Sequence, residues 1–359
     1  MRGRGHGSFV DELARFAAGH DDPRVTAIAE RTAAPLQVVV RGRRGVGLST
    51  VARALDRAGR AANLSVTPGA RGSDGDVVVY VTAEVVKPED TDAIAAAHRV
   101  VAVLNKADLV GPLSGGSGCE GPVAAARLRC ADLSAVAGVP LEPMIGLLAV
   151  AALDDLDRAS WAALRTLATL PGGVACLDGS HAEFLAAANP VPADQRLRLL
   201  DGLDLFGIAL GIVALRRGHK PAQVRTLLRR LSGVDAVCRA VAAVGAEVRY
   251  RRVLDAVADL EALAVGNERI GAFLSRDDTV LARMTAAMEM AEAAGLEPAD
   301  SGPVPNRRDD PDGHLPRAAR WQRYGRGSAS EVHGACGADI ARGSLRLWSR
   351  ACGPPGECW

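Results

Sequence analysis

Three short apolar runs constrain this chain more than any other feature: Leu36-Gln37-Val38-Val39-Val40, Val77-Val78-Val79-Tyr80-Val81 and Val100-Val101-Ala102-Val103-Leu104. Each is rich in β-branched residues, has the length of a strand, and is followed by a loop and a helix-forming segment. Strands that are apolar on both faces need cover on both faces, which alternating helices supply in a parallel sheet. A fourth such run lies within Met144–Leu153, after the helical stretch Val123–Ala137. The fold class expected is therefore α/β, a mostly parallel sheet with flanking helices over residues 35–153. Residues 1–34 should precede it as helices, with Phe9, Leu13 and Phe16 at helical spacing and Pro23 opening a second stretch.

Beyond Asp154 the strand signal stops. Helical patterns run over Leu156–Leu170, Asp194–Arg217, Pro221–Leu231, Val234–Ala264 and Glu268–Ala294, punctuated by Gly218, Ser232-Gly233 and Gly266. A C-terminal all-helical domain is expected over 154–295, which suits a chain of 359 residues at roughly 150 per domain. Within it Gly202, Gly207 and Gly211 lie about a turn apart, so a neighbouring helix should approach closely, as tight soluble packing requires. Residues 296–316, with five prolines, read as a linker, and 317–359 as a basic tail carrying Trp321, Tyr324, Trp348 and Trp359. Docking of that tail on its own protein, arginine stems over apolar surface, is the favoured reading; contact with an acidic partner, anionic lipid or RNA is the other.

Forty-three basic residues against forty-two acidic ones give a net charge of +1, which argues against non-specific nucleic-acid binding by the whole chain. Seven scattered cysteines without a C-x-x-C read as buried thiols of a reducing compartment. No apolar signal segment follows Met1, and Leu203–Leu215 is too short to span a bilayer, so a cytoplasmic location is expected. The seven histidines form no H-x-x-x-H and pair with no cysteine at zinc spacing, and no G-x-S-x-G is present.

Chemistry concentrates in two motifs. Gly42-Arg43-Arg44-Gly45-Val46-Gly47-Leu48-Ser49-Thr50 stands between strand and helix with the glycine spacing of a phosphate-binding loop, whose backbone N–H groups cradle phosphates. The lysine of that motif is Leu48 here, while Ser49 keeps the hydroxyl that meets Mg²⁺, and Arg43 and Arg44 are the charges at hand. On glycine spacing alone, a structural strand-to-helix turn explains this loop equally well. The second motif is Asn105-Lys106-Ala107-Asp108 at the carboxyl end of an apolar strand. Five Asn, three Lys and 27 Asp in 359 positions give roughly 0.003 chance occurrences of N-K-x-D, so the match carries weight.

With phosphate loop first and N-K-x-D later, each directly after a strand, the chain resembles the P-loop GTPases of the TRAFAC type, with a degenerate Walker A loop. The resemblance implies a P-loop NTPase-like fold over 35–153 that binds GTP or GDP, accompanied by Mg²⁺. The phosphates would sit over Gly42 to Ser49, with Thr50 helping to fix the loop, and the base at Asn105, Lys106 and Asp108. The chain departs from the family where turnover is made. Only Ala61–Gly75 separates the first helix from the next strand, no D-x-x-G can be placed at the end of a strand, and Thr67 and Ser73 are the remaining hydroxyls there. Catalytic residues are therefore not assignable, and hydrolysis should be slow or absent. The last base-supporting loop is expected near Gly146–Ala149.

The stretches Leu205–Gly218 and Leu227–Asp235 are similar to the helical region of bacterial dynamin-like proteins, which implies self-association or partner binding. The expected role is a guanine-nucleotide-dependent conformational or assembly switch. The rival is a nucleotide-free pseudo-GTPase scaffold that binds a partner protein, and a third reading is a membrane-surface adaptor in peripheral contact. No specific nucleic-acid partner is expected.

Overall fold

The computed structural model describes residues 4–69, 75–111, 121–170, 180–296 and 311–352. In chain order they form α1 (Arg4–Ala18), α2 (Pro23–Ala33), β1 (Leu36–Gly42), α3 (Leu48–Gly59), β2 (Leu64–Pro68), β3 (Val77–Thr82), α4 (Pro88–Ala95), β4 (Val100–Leu104), α5 (Pro122–Ala137), β5 (Leu141–Pro143) and α6 (Gly146–Asp154). Then follow α7 (Arg158–Thr169), α8 (His181–Ala186), α9 (Ala193–Arg216), α10 (Pro221–Leu231), α11 (Val234–Val244), α12 (Ala246–Ala264), α13 (Glu268–Ser275), α14 (Asp277–Ala293), α15 (Pro311–Gly327) and α16 (Glu331–Ala351). No described helix is long and apolar enough to cross a membrane.

Two compact units emerge, and they do not follow the boundaries expected from the sequence. One is residues 37–241; the other joins 1–36 to 242–359. The first holds an all-parallel sheet in the order β2-β1-β3-β4-β5. Val39 lies opposite Val78, and Val79 opposite Val101, so the three apolar runs form the centre of the sheet as their composition requires. The helices α7 to α10, read as the start of a separate helical domain, belong to this unit instead. Leu148, Ala151 and Ala152 of α6 pack in one core with Leu164 and Leu167 of α7, Leu203, Ile208 and Ile212 of α9, and Val224 and Leu228 of α10. Gly207 lies against Leu148 and Gly211 against Leu164, as expected, whereas a Cβ on Gly202 would meet no described atom within 4 Å.

The fourth expected strand is also corrected. Met144–Leu153 is mostly α6, and the strand is the three-residue β5 before it. Because α6 is enclosed by other helices, it is apolar on nearly every side and lacks the 3.6-residue period that marks a surface helix. Between α3 and β3 the chain does form one strand, β2.

In the second unit, Phe9 and Leu13 of α1 and Val25 and Ile28 of α2 share a core with Tyr250, Val253 and Leu260 of α12, Phe273 of α13, Met290 of α14 and Ile340 of α16. Phe16 stacks on Phe273 with ring centroids 4.3 Å apart. The expected linker's residues 297–310 lie outside the described residues, while 311–316 already belong to α15. The basic tail is the α15–α16 helix pair, with Cys336 and Ile340 fully buried in the unit's own core; its end, including Trp359, lies outside the described residues. At the centre of this unit Asp339 is 3% exposed and accepts from Tyr250 Oη (3.0 Å), Arg283 (2.7 Å) and Arg342 (2.9 Å). Burial and the neighbouring carboxylate push the Tyr250 hydroxyl far above its ordinary range.

Removing one partner of a buried ion pair strands the other charge, so Asp339→Asn should cost about 3–5 kcal/mol of stability. Urea unfolding measures it, and Arg346→Gln on the exposed face of α16 should by comparison change little.

Candidate functional site

The parallel sheet brings the loops that follow β1, β4 and β5 to one edge, its carboxyl edge, where ligands of open α/β sheets bind. The loop after β1 is glycine-dependent. Gly42 has φ +155°, and a Cβ there would lie 2.2 Å from the carbonyl oxygen of Val81 on the adjacent strand. Gly45 turns at φ +88°. Gly47, also at +88°, is the N-cap of α3, and no side chain caps the helix's first N–H groups. Those dipoles are the ones that favour an anion at a helix start.

Asn105, immediately after β4, ties the site together. Its side chain is 3% exposed; Nδ2 donates to the Val46 carbonyl at 2.8 Å, and Oδ1 accepts from the Gly146 N–H at 3.0 Å. The backbone N–H of Asn105 donates to Thr82 at the end of β3 (2.8 Å). A Cβ on Gly47 would lie 2.5 Å from Asn105 Nδ2, so glycine is needed for this contact as well as for the turn. The sequence-expected loop at Gly146–Ala149 is the first turn of α6, and its leading N–H is the one that Asn105 holds.

Lys106 takes a left-handed conformation (φ 58°) and is exposed. Asp108 follows in a single turn of 3-10 helix, Ala107–Leu109, anchored by the Ala107 N–H on Met144. Asp108 is 6% exposed, and its carboxyl is pushed up to about 6, chiefly by burial, with the charge of Asp204 adding and that of Lys106 opposing. Ser49 and Thr50 lie in the first turn of α3, Ser49 exposed.

The two expected loop charges separate. Arg43 turns to α4, where its guanidinium meets both oxygens of Asp90 (2.9 and 3.0 Å) and the Val85 carbonyl (3.2 Å). Asp90 is fully buried and also accepts from the Tyr80 hydroxyl (2.8 Å), so it fixes Arg43 as a structural cation. Arg44 is exposed and has no side-chain partner among the described residues, leaving it as the loop's available charge. Leu48 packs its Cδ2 beside Gly42, over the end of the strand. At the carboxyl end of β2, where a D-x-x-G would stand, the chain has Val66-Thr67-Pro68-Gly69 and no carboxylate; Thr67 is exposed, and Ser73 lies outside the described residues. No group of three His, Cys, Asp or Glu among the described residues is placed to hold a metal.

Sequence reading missed Asp204. It breaks α9 with φ 55° and ψ 176°, a conformation costly for any residue but glycine, and its carboxylate meets His181 Nε2 at 2.7 Å. The helical pattern of Asp194–Arg217 is apolar on both sides of the break, so nothing in its period announces it.

Compared with protein-family profiles, curated proteins and solved structures, the chain has no significant match.

Two substitutions probe this geometry. Asn105→Ala leaves the Val46 carbonyl and the Gly146 N–H without their partner and should cost about 2–4 kcal/mol in urea unfolding. Asp108 binds its proton more tightly in the folded than in the unfolded chain, so its contribution is most favourable below about pH 4 and is lost as pH rises through 6. Asp108→Asn should therefore raise thermal stability at pH 7.5, by on the order of 2–3 kcal/mol, and flatten the fall between pH 4 and 7.

Proposed function

We propose that the 37–241 unit binds a guanine nucleotide and that the chain acts as a nucleotide-dependent conformational or assembly switch with slow hydrolysis or none. The observation that carries this reading is the Asn105 side chain, which joins the glycine loop to the loop after β5 within an N-K-x-D motif. Phosphates would lie on the backbone N–H groups of Gly42 to Ser49 with Arg44 beside them. The base would meet Asp108, whose ionised carboxylate accepts from N1–H and the exocyclic amine, with the Lys106 stem over the ring. Mg²⁺ would meet the Ser49 hydroxyl and the nucleotide's own oxygens, because no carboxylate stands with Ser49 in the sequence of the loop. With Leu48 in place of a lysine and Val66 in place of an acid, charge on the terminal phosphate gains little stabilisation and an attacking water lacks the usual acid that helps to place it, hence slow turnover. Self-association or a protein partner at the helical surfaces would be the output.

A second reading, a scaffold that binds no nucleotide, is favoured by the Arg43–Asp90 pair and by the burial of Asp108. Calorimetric titration of the full chain with GDP, GTP and ATP separates the two. The nucleotide reading predicts binding of GDP and GTP but not ATP, with that guanine selectivity abolished in Asp108→Ala. Since only about a tenth of Asp108 is ionised one unit below its pKa, affinity should rise about tenfold between pH 5 and 7.5. No heat with any nucleotide, from folded protein, leaves the scaffold.

A further inference from the structure

We propose that a cleft in the 37–241 unit, between α5 and the α10–α11 turn, docks an acidic segment of a partner protein through arginine pairs rather than strand addition. The cleft encloses about 1110 Å³ beside β5, one of the two edge strands of the sheet, and Ile145 and Phe206 form part of its apolar lining. Its walls carry Arg127 from α5, Arg230 from α10 and Arg239 from α11. All three are exposed, and none has a hydrogen-bond or ion-pair partner among the described residues. The adjacent Arg229 behaves differently, being paired with Asp235 at 2.8 Å. With Asp235 so paired, three guanidinium charges face one carboxylate, Glu142, among the described lining residues, a net charge of +2. In a chain whose overall charge is only +1, that is a local concentration of unspent positive charge.

The occupant's chemistry follows from what the cleft refuses. An edge strand ordinarily invites another strand, but along β5 and the residues after it no outward N–H is left to donate to one. The Leu141 N–H donates to Ser134 Oγ (2.9 Å), Pro143 has no N–H, and the Ile145 N–H donates to the Ser232 carbonyl (2.8 Å). Gly233, at φ +76°, presses so closely that a Cβ would lie 2.2 Å from the Pro143 oxygen. Recognition therefore falls to side chains. A nucleic acid would need faces to stack on, yet the one aromatic in the lining, Phe206, is buried. Guanidiniums on both walls, with apolar side chains between, suit carboxylates alternating with aliphatic side chains. This inference does not depend on nucleotide binding.

The test uses the full chain and a fluorescein-labelled dodecapeptide of alternating glutamate and leucine, read by anisotropy. The peptide should bind, more weakly as salt rises. Arg230→Glu combined with Arg239→Glu should weaken it by about tenfold or more, Arg127→Glu should weaken it too, and Arg165→Glu, an exposed arginine of α7 away from the cleft, should leave it within about twofold. These are surface changes, and unchanged melting curves certify the fold. Failure of the wild-type chain to bind, equal binding by the cleft variants, equal binding of the lysine–leucine counterpart, or displacement by oligoadenylate at lower concentration each overturns the proposal.

Discussion

The carboxamide of Asn105 is the constraint on which the site depends. It is buried, so both its donor and its acceptor must be satisfied, and the two groups that satisfy it belong to segments far apart in the chain. Val46 sits in the loop after β1 and Gly146 at the start of α6; their relative position is set by one side chain. The requirement propagates. Gly47 must lack a Cβ to admit Asn105, which in turn fixes the entry to α3 and leaves its first N–H groups uncapped. Anything that binds at the glycine loop is thereby mechanically joined to the turn that carries Asp108.

Electrostatics at this edge are divided between structure and availability. Asp90, wholly buried, draws Arg43 out of the loop and holds Tyr80 as well, so a charge that the sequence places in the loop secures α4 to the sheet. Arg44 and Lys106 remain exposed. Asp108 is the opposite case, a carboxyl kept in poor solvent with a second acid, Asp204, near enough to raise it further. Ionising it costs energy that a ligand offering hydrogen-bond donors would return. Ala107 and Ile145, next in sequence to Asp108 and Gly146, are among the residues that line the cleft beside β5.

The centre of the sheet was legible because β1, β3 and β4 are valine-rich and buried on both faces, a pattern that few other structures tolerate. β2 was not, since Leu64-Ser65-Val66-Thr67-Pro68 is a short edge strand with two hydroxyls and an exposed end. Met144–Leu153 misled for the reason that a short apolar run has no period to distinguish strand from buried helix. The bounds of α10 match the reading, but Val234–Ala264 and Glu268–Ala294, each read as one helix, divide into α11 and α12 and into α13 and α14, and α15 and α16 were read as linker and tail. Periodicity, moreover, says which face of a helix is buried and never against what. Hence α7–α10 were assigned away from the sheet whose core they complete, and α1 was separated from α12 and α14. In the site, Asn105, Lys106 and Asp108 stood out as a motif. The roles of Asp90 and Asp204 did not, because each acts through a neighbour distant in sequence or in conformation.

The central claim is that one buried amide couples the glycine loop to the turn that carries Asp108, the two segments proposed to hold the phosphates and the base of a guanine nucleotide. Amide hydrogen exchange of the full chain with GDP or ADP tests it most directly. The account predicts that GDP slows exchange together at residues 45–50, 106–108 and 145–148, while ADP does not. Unchanged exchange with GDP, or equal protection by both nucleotides, would contradict it.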